Sequence, residues 1–188
     1  LDECIIVDIG AGTIDLIRIH GTLPTPDDQI SLTTAGNFLD DLLIKKLIDR
    51  YPNIQLTKGI IQNIKEKYGF VYGNDNIAVK LTVKGIPNFY DITKELYDSC
   101  LELVNPICEA IGKLIGEFDP EFQEKLRNNI IVAGGGSRLK GIDRLIEKSL
   151  DVYGGGNVVC SQDPEFGGAI GALKLALEMP ERYWEKLK

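Results

Sequence analysis

The chain of 188 residues is poor in the residues that build metal and disulfide sites, with one histidine and four cysteines. Cys4, Cys100, Cys108 and Cys160 are scattered without a Cys-x-x-Cys pair, and His20 stands alone, which excludes a zinc-ligand set. The cysteines are expected to be small buried side chains in a reducing compartment, and His20 a surface residue at a strand end. A basic excess is also missing. Twenty-one Lys and Arg face 28 Asp and Glu, a net charge of -7. That is the wrong sign for a surface that neutralises phosphates, so no nucleic-acid partner is expected. No apolar run approaches the ~20 residues that cross a bilayer, so no transmembrane segment is expected and the domain should be soluble. No basic or apolar leader precedes the strand pattern that starts within four residues of Leu1, as expected of an internal cut. Repeats and low-complexity segments are absent. What the chain does have is 44% hydrophobic residues, enough for a real core and incompatible with a disordered chain.

The hydrophobic pattern divides the chain. Cys4 to Asp8 reads as a buried strand, Gly10 to Thr13 as a turn, and Ile14 to Ile19 as a returning strand with apolar residues at alternate positions, Leu16 being the exception. Gln29 to Thr34 supplies a third antiparallel strand. From Gly36 the period becomes helical: Phe38, Leu39, Leu42, Leu43, Leu47 and Ile48 form one face, with Asp40, Asp41, Lys45, Lys46 and Asp49 on the other. A second helix spans Lys58 to Tyr68. Ile77 to Val83 and Pro87 to Tyr90 form a hairpin across Lys84-Gly85. A long helix from Thr93 carries Leu96, Cys100, Leu103, Ile107, Ile111 and Leu114 on one face, with a kink predicted at Pro106. Strands at 129–133 and 157–160 then alternate with helices at 142–150 and 169–177. Tyr183 and Trp184 read as packing anchors in a charged tail.

Two strand ends followed by glycine turns carry the candidate chemistry. In Asp8-Ile9-Gly10-Ala11-Gly12-Thr13-Ile14-Asp15, glycines let backbone N–H groups approach an anionic oxygen, and a carboxylate at the strand end can hold Mg²⁺ through water. A strand follows and the turn has no lysine, which excludes a Walker-type loop. In Ile130 to Leu139 a buried strand delivers Gly134, Gly135 and Gly136 to the mouth of a sheet, where a ring or phosphate can lie on bare backbone. Each turn alone is explained equally by turn geometry. Asp8 alone could cap its hairpin, and Lys65 and Glu66 alone could sit on a solvated charged face.

Together, and in this order, the motifs resemble the actin, heat-shock-chaperone and sugar-kinase superfamily. Asp8 to Asp15 resembles its phosphate-2 motif and Val132 to Gly141 its adenosine motif. Ala35-Gly36-Asn37-Phe38-Leu39-Asp40 is similar to the start of its inserted subdomain. Ile64-Lys65-Glu66-Lys67-Tyr68-Gly69-Phe70-Val71 is similar to the Lys-Glu-Lys helix of actin and bacterial actins, and Glu165 to Ala169 to the second connecting segment at the hinge. Within the superfamily the wording is most similar to the bacterial actin-like proteins of magnetosome filaments.

The resemblance implies an α/β fold of the ribonuclease-H-like, actin type, covering the second half, domain II, with an inserted smaller helix-plus-hairpin subdomain. Residues 1–35 and 91–188 would be subdomain IIA, and 36–90 subdomain IIB. It implies ATP or ADP with Mg²⁺ as the bound groups. Asp8 would act on Mg²⁺ through water, while Gly10, Gly12 and Thr13 would face the β- and γ-phosphates. Gly36, Lys65 and Glu66 would line ribose and adenine, and Gly135, Gly136 and Ser137 would floor the nucleoside. Asp15 is the one candidate catalytic residue, at a position where actin has histidine, and Gln62 replaces an adenine-side arginine. The first phosphate hairpin and the residue that orients the attacking water precede the phosphate-2 motif in this superfamily, so half the cleft is expected to be missing and the isolated chain inactive. The implied activity is a cytoplasmic, cytoskeletal ATPase that self-associates into filaments along magnetosomes. Its implied partners are an upstream actin-like lobe and magnetosome-associated proteins. A small-molecule kinase, a chaperone-like ATPase and a nucleotide-independent interaction module are the competing readings.

Overall fold

The computed structural model describes residues 3–21, 24–73, 75–180 and 184. β1 (Glu3–Ile9) and β2 (Ile14–His20) form a hairpin, and β3 (Gln29–Leu32) adds beside β2. α1 (Gly36–Arg50), the two-residue β4 (Ile54–Gln55), α2 (Lys58–Tyr68), β5 (Ala78–Val83) and β6 (Ile86–Asp91) follow. Then come α3 (Thr93–Cys100), α4 (Val104–Gly116), α5 (Pro120–Arg127), β7 (Ile130–Ala133), α6 (Ile142–Ser149), β8 (Val158–Cys160) and α7 (Gly167–Glu178).

The main sheet has the order β3-β2-β1-β7-β8. Its first three strands are antiparallel, and β1, β7 and β8 are parallel. A second sheet has the order β4-β5-β6. Its hairpin turns through Lys84 and Gly85, both at positive φ, the backbone that a two-residue turn matching strand twist requires. One continuous core joins the main sheet to α1, α2, β5, α3, α4 and α6.

Several expectations are corrected. Leu16 is fully buried, because β2 turns Ile14, Leu16 and Arg18 inward. Arg18 tolerates this because its guanidinium donates to Asp28 and to the Leu114 carbonyl. On α1 the buried stripe is Leu39, Leu43 and Leu47, whereas Phe38 and Ile48 are exposed. Asp40, read as part of the polar face, is buried. The long helix tightens into a 3-10 turn at Leu101–Leu103, one turn before Pro106, and its flanking dihedrals stay right-handed. The ring of Pro106 crowds the carbonyl four residues back and removes a donor, so the strain falls there. His20 packs against Phe122 and Phe118, with ring centroids 4.4 and 5.1 Å away, rather than standing free. Cys160 is exposed and Cys108 half-buried, leaving Cys4 and Cys100 as the buried pair. Trp184 is exposed, and Tyr183 lies outside the described residues.

α7 has no buried residue, although its sequence is mostly apolar: Ile170, Leu173, Leu175 and Leu177 all face water. No helix among the described residues is long and apolar enough to cross a membrane.

Candidate functional site

Parallel pairing of β1 with β7 decides where the two glycine turns lie. In that register Val7 stands beside Val132 and Asp8 beside Ala133, so both strands end together and both turns emerge at one end of the sheet. A cavity of about 200 Å³ opens there. Of the residues singled out by sequence, Gly10, Gly36, Lys65, Glu66, Gly135 and Gly136 line it. Asp8, Gly12, Thr13 and Ser137 do not. The lining also includes Asn37, Leu39, Asp40, Arg138 and Leu139, which stand inside the motifs without a site role assigned to them, and Gln62 and Glu165.

The turn after β1 is closed by the Gly10 N–H, which donates to the Thr13 carbonyl at 2.9 Å. The N–H groups of Gly12 and Thr13 have no acceptor among the described residues. A Cβ built on Gly12 or Gly135 meets no atom within 4 Å, and neither residue has a positive φ. Nothing inside the fold therefore requires glycine at these two positions, and bare backbone with free donors faces open space. This is the form of an anion cradle.

Gly134 is the opposite case. Its φ is 74°, and a Cβ there would collide with the Asp8 carboxylate and the Ile9 carbonyl. The bare backbone of the second turn thus leaves room for the exposed carboxylate of Asp8 at the end of the first. Ser137 is buried, and its hydroxyl donates to the Gly134 carbonyl at 2.8 Å, so it braces the turn from within rather than flooring the cavity.

Asp15 sits across from Asp8 in the β1–β2 register. Its Oδ2 accepts from the Thr13 hydroxyl at 2.8 Å and its Oδ1 from the Ser31 hydroxyl at 2.6 Å. Both oxygens are already engaged in holding the turn to β3. Among the described residues no group of three or more His, Cys, Asp or Glu side chains could hold a metal ion directly. One exposed carboxylate at the strand end suits the way Mg²⁺ is usually bound, through retained water and phosphate oxygens.

The α1 and α2 side is built around a close approach at Gly36. Its N–H donates to the Gly10 carbonyl at 3.2 Å, and the Asn37 N–H donates to the Ala11 carbonyl at 2.8 Å. Lys65 leaves the solvated face expected of a charged helix. Its ammonium donates to the Gly36 carbonyl at 2.8 Å and pairs with Asp40 Oδ1 at 2.8 Å, and the side chains are only 14% and 9% exposed. Glu66 remains on the rim, where Gln62 donates to its Oε1 at 2.8 Å. Across the mouth, Arg138 pairs with Glu165 at 3.0 Å. Near this corner burial pushes the Cys100 thiol up to about 11.

A model of the MreB/Mbl protein family matches residues 2–182. The chain is 40% identical over all its 188 residues to the actin-like protein MamK of Paramagnetospirillum magneticum, covering 54% of that protein. It is 39% identical to MamK of Magnetospirillum gryphiswaldense, covering 52%. The chain therefore spans about half the length of these relatives. The structure of a MamK double helical filament superposes with a TM-score of 0.91 at 39% identity, over 94% of this chain and 55% of that one. A non-polymerising MamK mutant bound to AMPPNP superposes with a TM-score of 0.87 at 39% identity, over 93% and 54%. The actin-type fold class expected from the motifs is thereby established.

Proposed function

Since the chain belongs to the MreB/Mbl family of actin-like proteins, we propose that it is the nucleotide-binding half of a filament-forming ATPase of the MamK type that organises a magnetosome chain. The observation that carries this reading is the pairing of two glycine turns at one sheet end around a common cavity, with Gly12 and Gly135 unexplained by packing. ATP or ADP would be the ligand of that cradle. The phosphates would lie along Gly12 and Thr13, whose free N–H groups donate to anionic oxygens, and the nucleoside would rest on Gly135 and Gly136 with Glu66 accepting from the ribose. Asp8 would hold Mg²⁺ through water, and the ion when bound supplies positive charge beside the phosphoryl oxygens. Asp15 keeps Thr13 in place and does not serve as a base.

Asp8, Gly12 and Thr13 lie outside the cavity lining, and α7 presents apolar side chains that no described residue buries. We assign both to a companion actin-like lobe that makes up the remaining length seen in the relatives. It would close the cleft, cover α7 and supply the group that orients water. Self-association into filaments and attachment to magnetosomes belong to that complete protein.

The test is to titrate a fluorescent ATP analogue into residues 1–188 with and without the companion lobe, and to image both by electron microscopy with ATP. Weak binding that tightens when the lobe is added, with filaments only then, is expected. Brisk Mg²⁺-dependent phosphate release by the chain alone would overturn the half-site reading.

A further inference from the structure

The segment from Lys65 to Val71 is linked to both glycine turns, through Gly36 on one side and Lys140 on the other. At one end the Lys65 ammonium holds the Gly36 carbonyl, and Gly36 and Asn37 in turn hold the carbonyls of Gly10 and Ala11. At the other end the Lys140 N–H donates to the Gly69 carbonyl at 3.1 Å and the Val71 N–H to the Lys140 carbonyl at 3.0 Å. Lys140 lies two residues beyond the second turn, which ends at Arg138. Between these ends the Gly69 N–H caps α2 on the Lys65 carbonyl at 2.8 Å. Gly69 has to be glycine, because a Cβ there would lie 2.5 Å from the Leu139 side chain and from the Lys65 carbonyl oxygen.

This belt has one charged link, and its position decides what Lys65 can do. A lysine has three donors and no acceptor. Here the ammonium is committed to Gly36 and Asp40, nearly enclosed, and packed so closely that a Cβ on Gly36 would lie 3.2 Å from it. Two of its three donors are thereby used, and swinging the ammonium out of this position would leave Asp40 as a buried unpaired charge, which is costly. We propose that Lys65 is a positioning residue for the cradle. It fastens the phosphate-side turn to α2, and through the Gly69 and Val71 pairing to the nucleoside-side turn, so that the two halves of the cradle are held at one spacing. The proposal rests on the nucleotide reading of the cavity for its purpose, but not for its test.

Amide hydrogen exchange in the ligand-free chain reads the belt directly. Lys65→Met should speed exchange at Gly36 and Asn37 about tenfold or more, since a charge-assisted bond is lost, while Ile130 and Val132 in β7 keep their protection. Asp40→Asn, which keeps the ammonium near Gly36 but removes its counter-charge, should give a smaller increase at the same two amides and guards against a misfolded Lys65 variant. Unchanged exchange at Gly36 and Asn37 in both variants overturns the proposal. With the companion lobe present, Lys65→Met should weaken inorganic tripolyphosphate and ATP by a similar factor while adenosine affinity holds. Equal losses for adenosine and ATP, without an exchange effect, would make Lys65 a ribose ligand and reject the belt. If the wild-type protein binds none of the three while the exchange result holds, the nucleotide reading fails and the belt stands.

Discussion

The Asp8 carboxylate occupies the space in which any side chain at Gly134 would begin. Gly134 is therefore glycine for two independent reasons, its φ of 74° and the neighbour it must admit. Gly134→Ala should destabilise the chain by about 1–3 kcal/mol through backbone strain alone, and should displace Asp8 as well. Gly135→Ala, next in sequence but with open space and ordinary backbone, should cost far less stability while weakening nucleotide binding. Urea melts of the two variants, read against ATP affinity, separate strain from ligand contact.

Asp8→Asn keeps the shape of an exposed side chain but removes its charge. In the protein completed by the companion lobe, phosphate release should fall about tenfold or more, with little change in melting temperature. An unchanged turnover rate would return Asp8 to a turn-capping role.

Glu66 tests the rim. Its bond with Gln62 is an exposed contact four residues apart on a helix, worth about 0.2–0.5 kcal/mol. Glu66→Ala should therefore leave stability nearly untouched and weaken nucleotide affinity in an equilibrium titration. Affinity equal to wild type would make Glu66 part of a solvated face.

Asp28 sets an acid limit. Hydrogen bonds from the Thr25 hydroxyl and N–H, and then Arg18, hold its carboxyl below the ordinary value. The folded state favours the ionised form. Its contribution is therefore complete above the unfolded value of about 3.9 and is lost as pH falls through the lowered folded value. Asp28→Asn should be less stable than wild type at pH 7, and the gap should narrow below about pH 4. Denaturation curves at pH 7, 4 and 3 check this, and a constant gap would contradict it.

Cys100 sets an alkaline one. Burial raises its thiol to about 11, so the neutral form is favoured in the folded chain. This stabilisation is full below the unfolded value of about 8.5 and fades as pH climbs toward the folded one. At pH 8 an alkylating reagent should modify exposed Cys160 first and reach Cys100 only after denaturant is added, as followed by mass spectrometry.

Sequence was most informative where a long-range pattern repeats. The period change at Gly36, the Lys58 to Tyr68 helix and the Lys84-Gly85 turn all stand where periodicity and turn chemistry put them. β4 was illegible because two residues have no period. α5 was missed although Asp119-Pro120-Glu121 is a readable start, since only Leu126 of that helix is buried and its apolar signal is weak. In the site, glycines and carboxylates at strand ends were legible as types. Their inward or outward direction was not. Lys65 and Glu66 are adjacent in a charged run, yet one is enclosed and the other is on the rim. Asp40 is what separates them, and its partner lies 25 positions away by their numbering. Leu16 and Arg18 teach the same lesson, because a buried arginine hides which face of β2 is inward until Asp28 and Leu114 are seen beside it.

Helix α7 leaves a calorimetric signature for assembly. Leu173, Leu175 and Leu177 are 60%, 62% and 78% exposed, so a lobe that settles on this helix removes apolar area from water without first unfolding anything here. Association should then show a negative heat-capacity change, with an enthalpy that grows more favourable on warming. Cooling should loosen the joint between the lobes before it loosens either core.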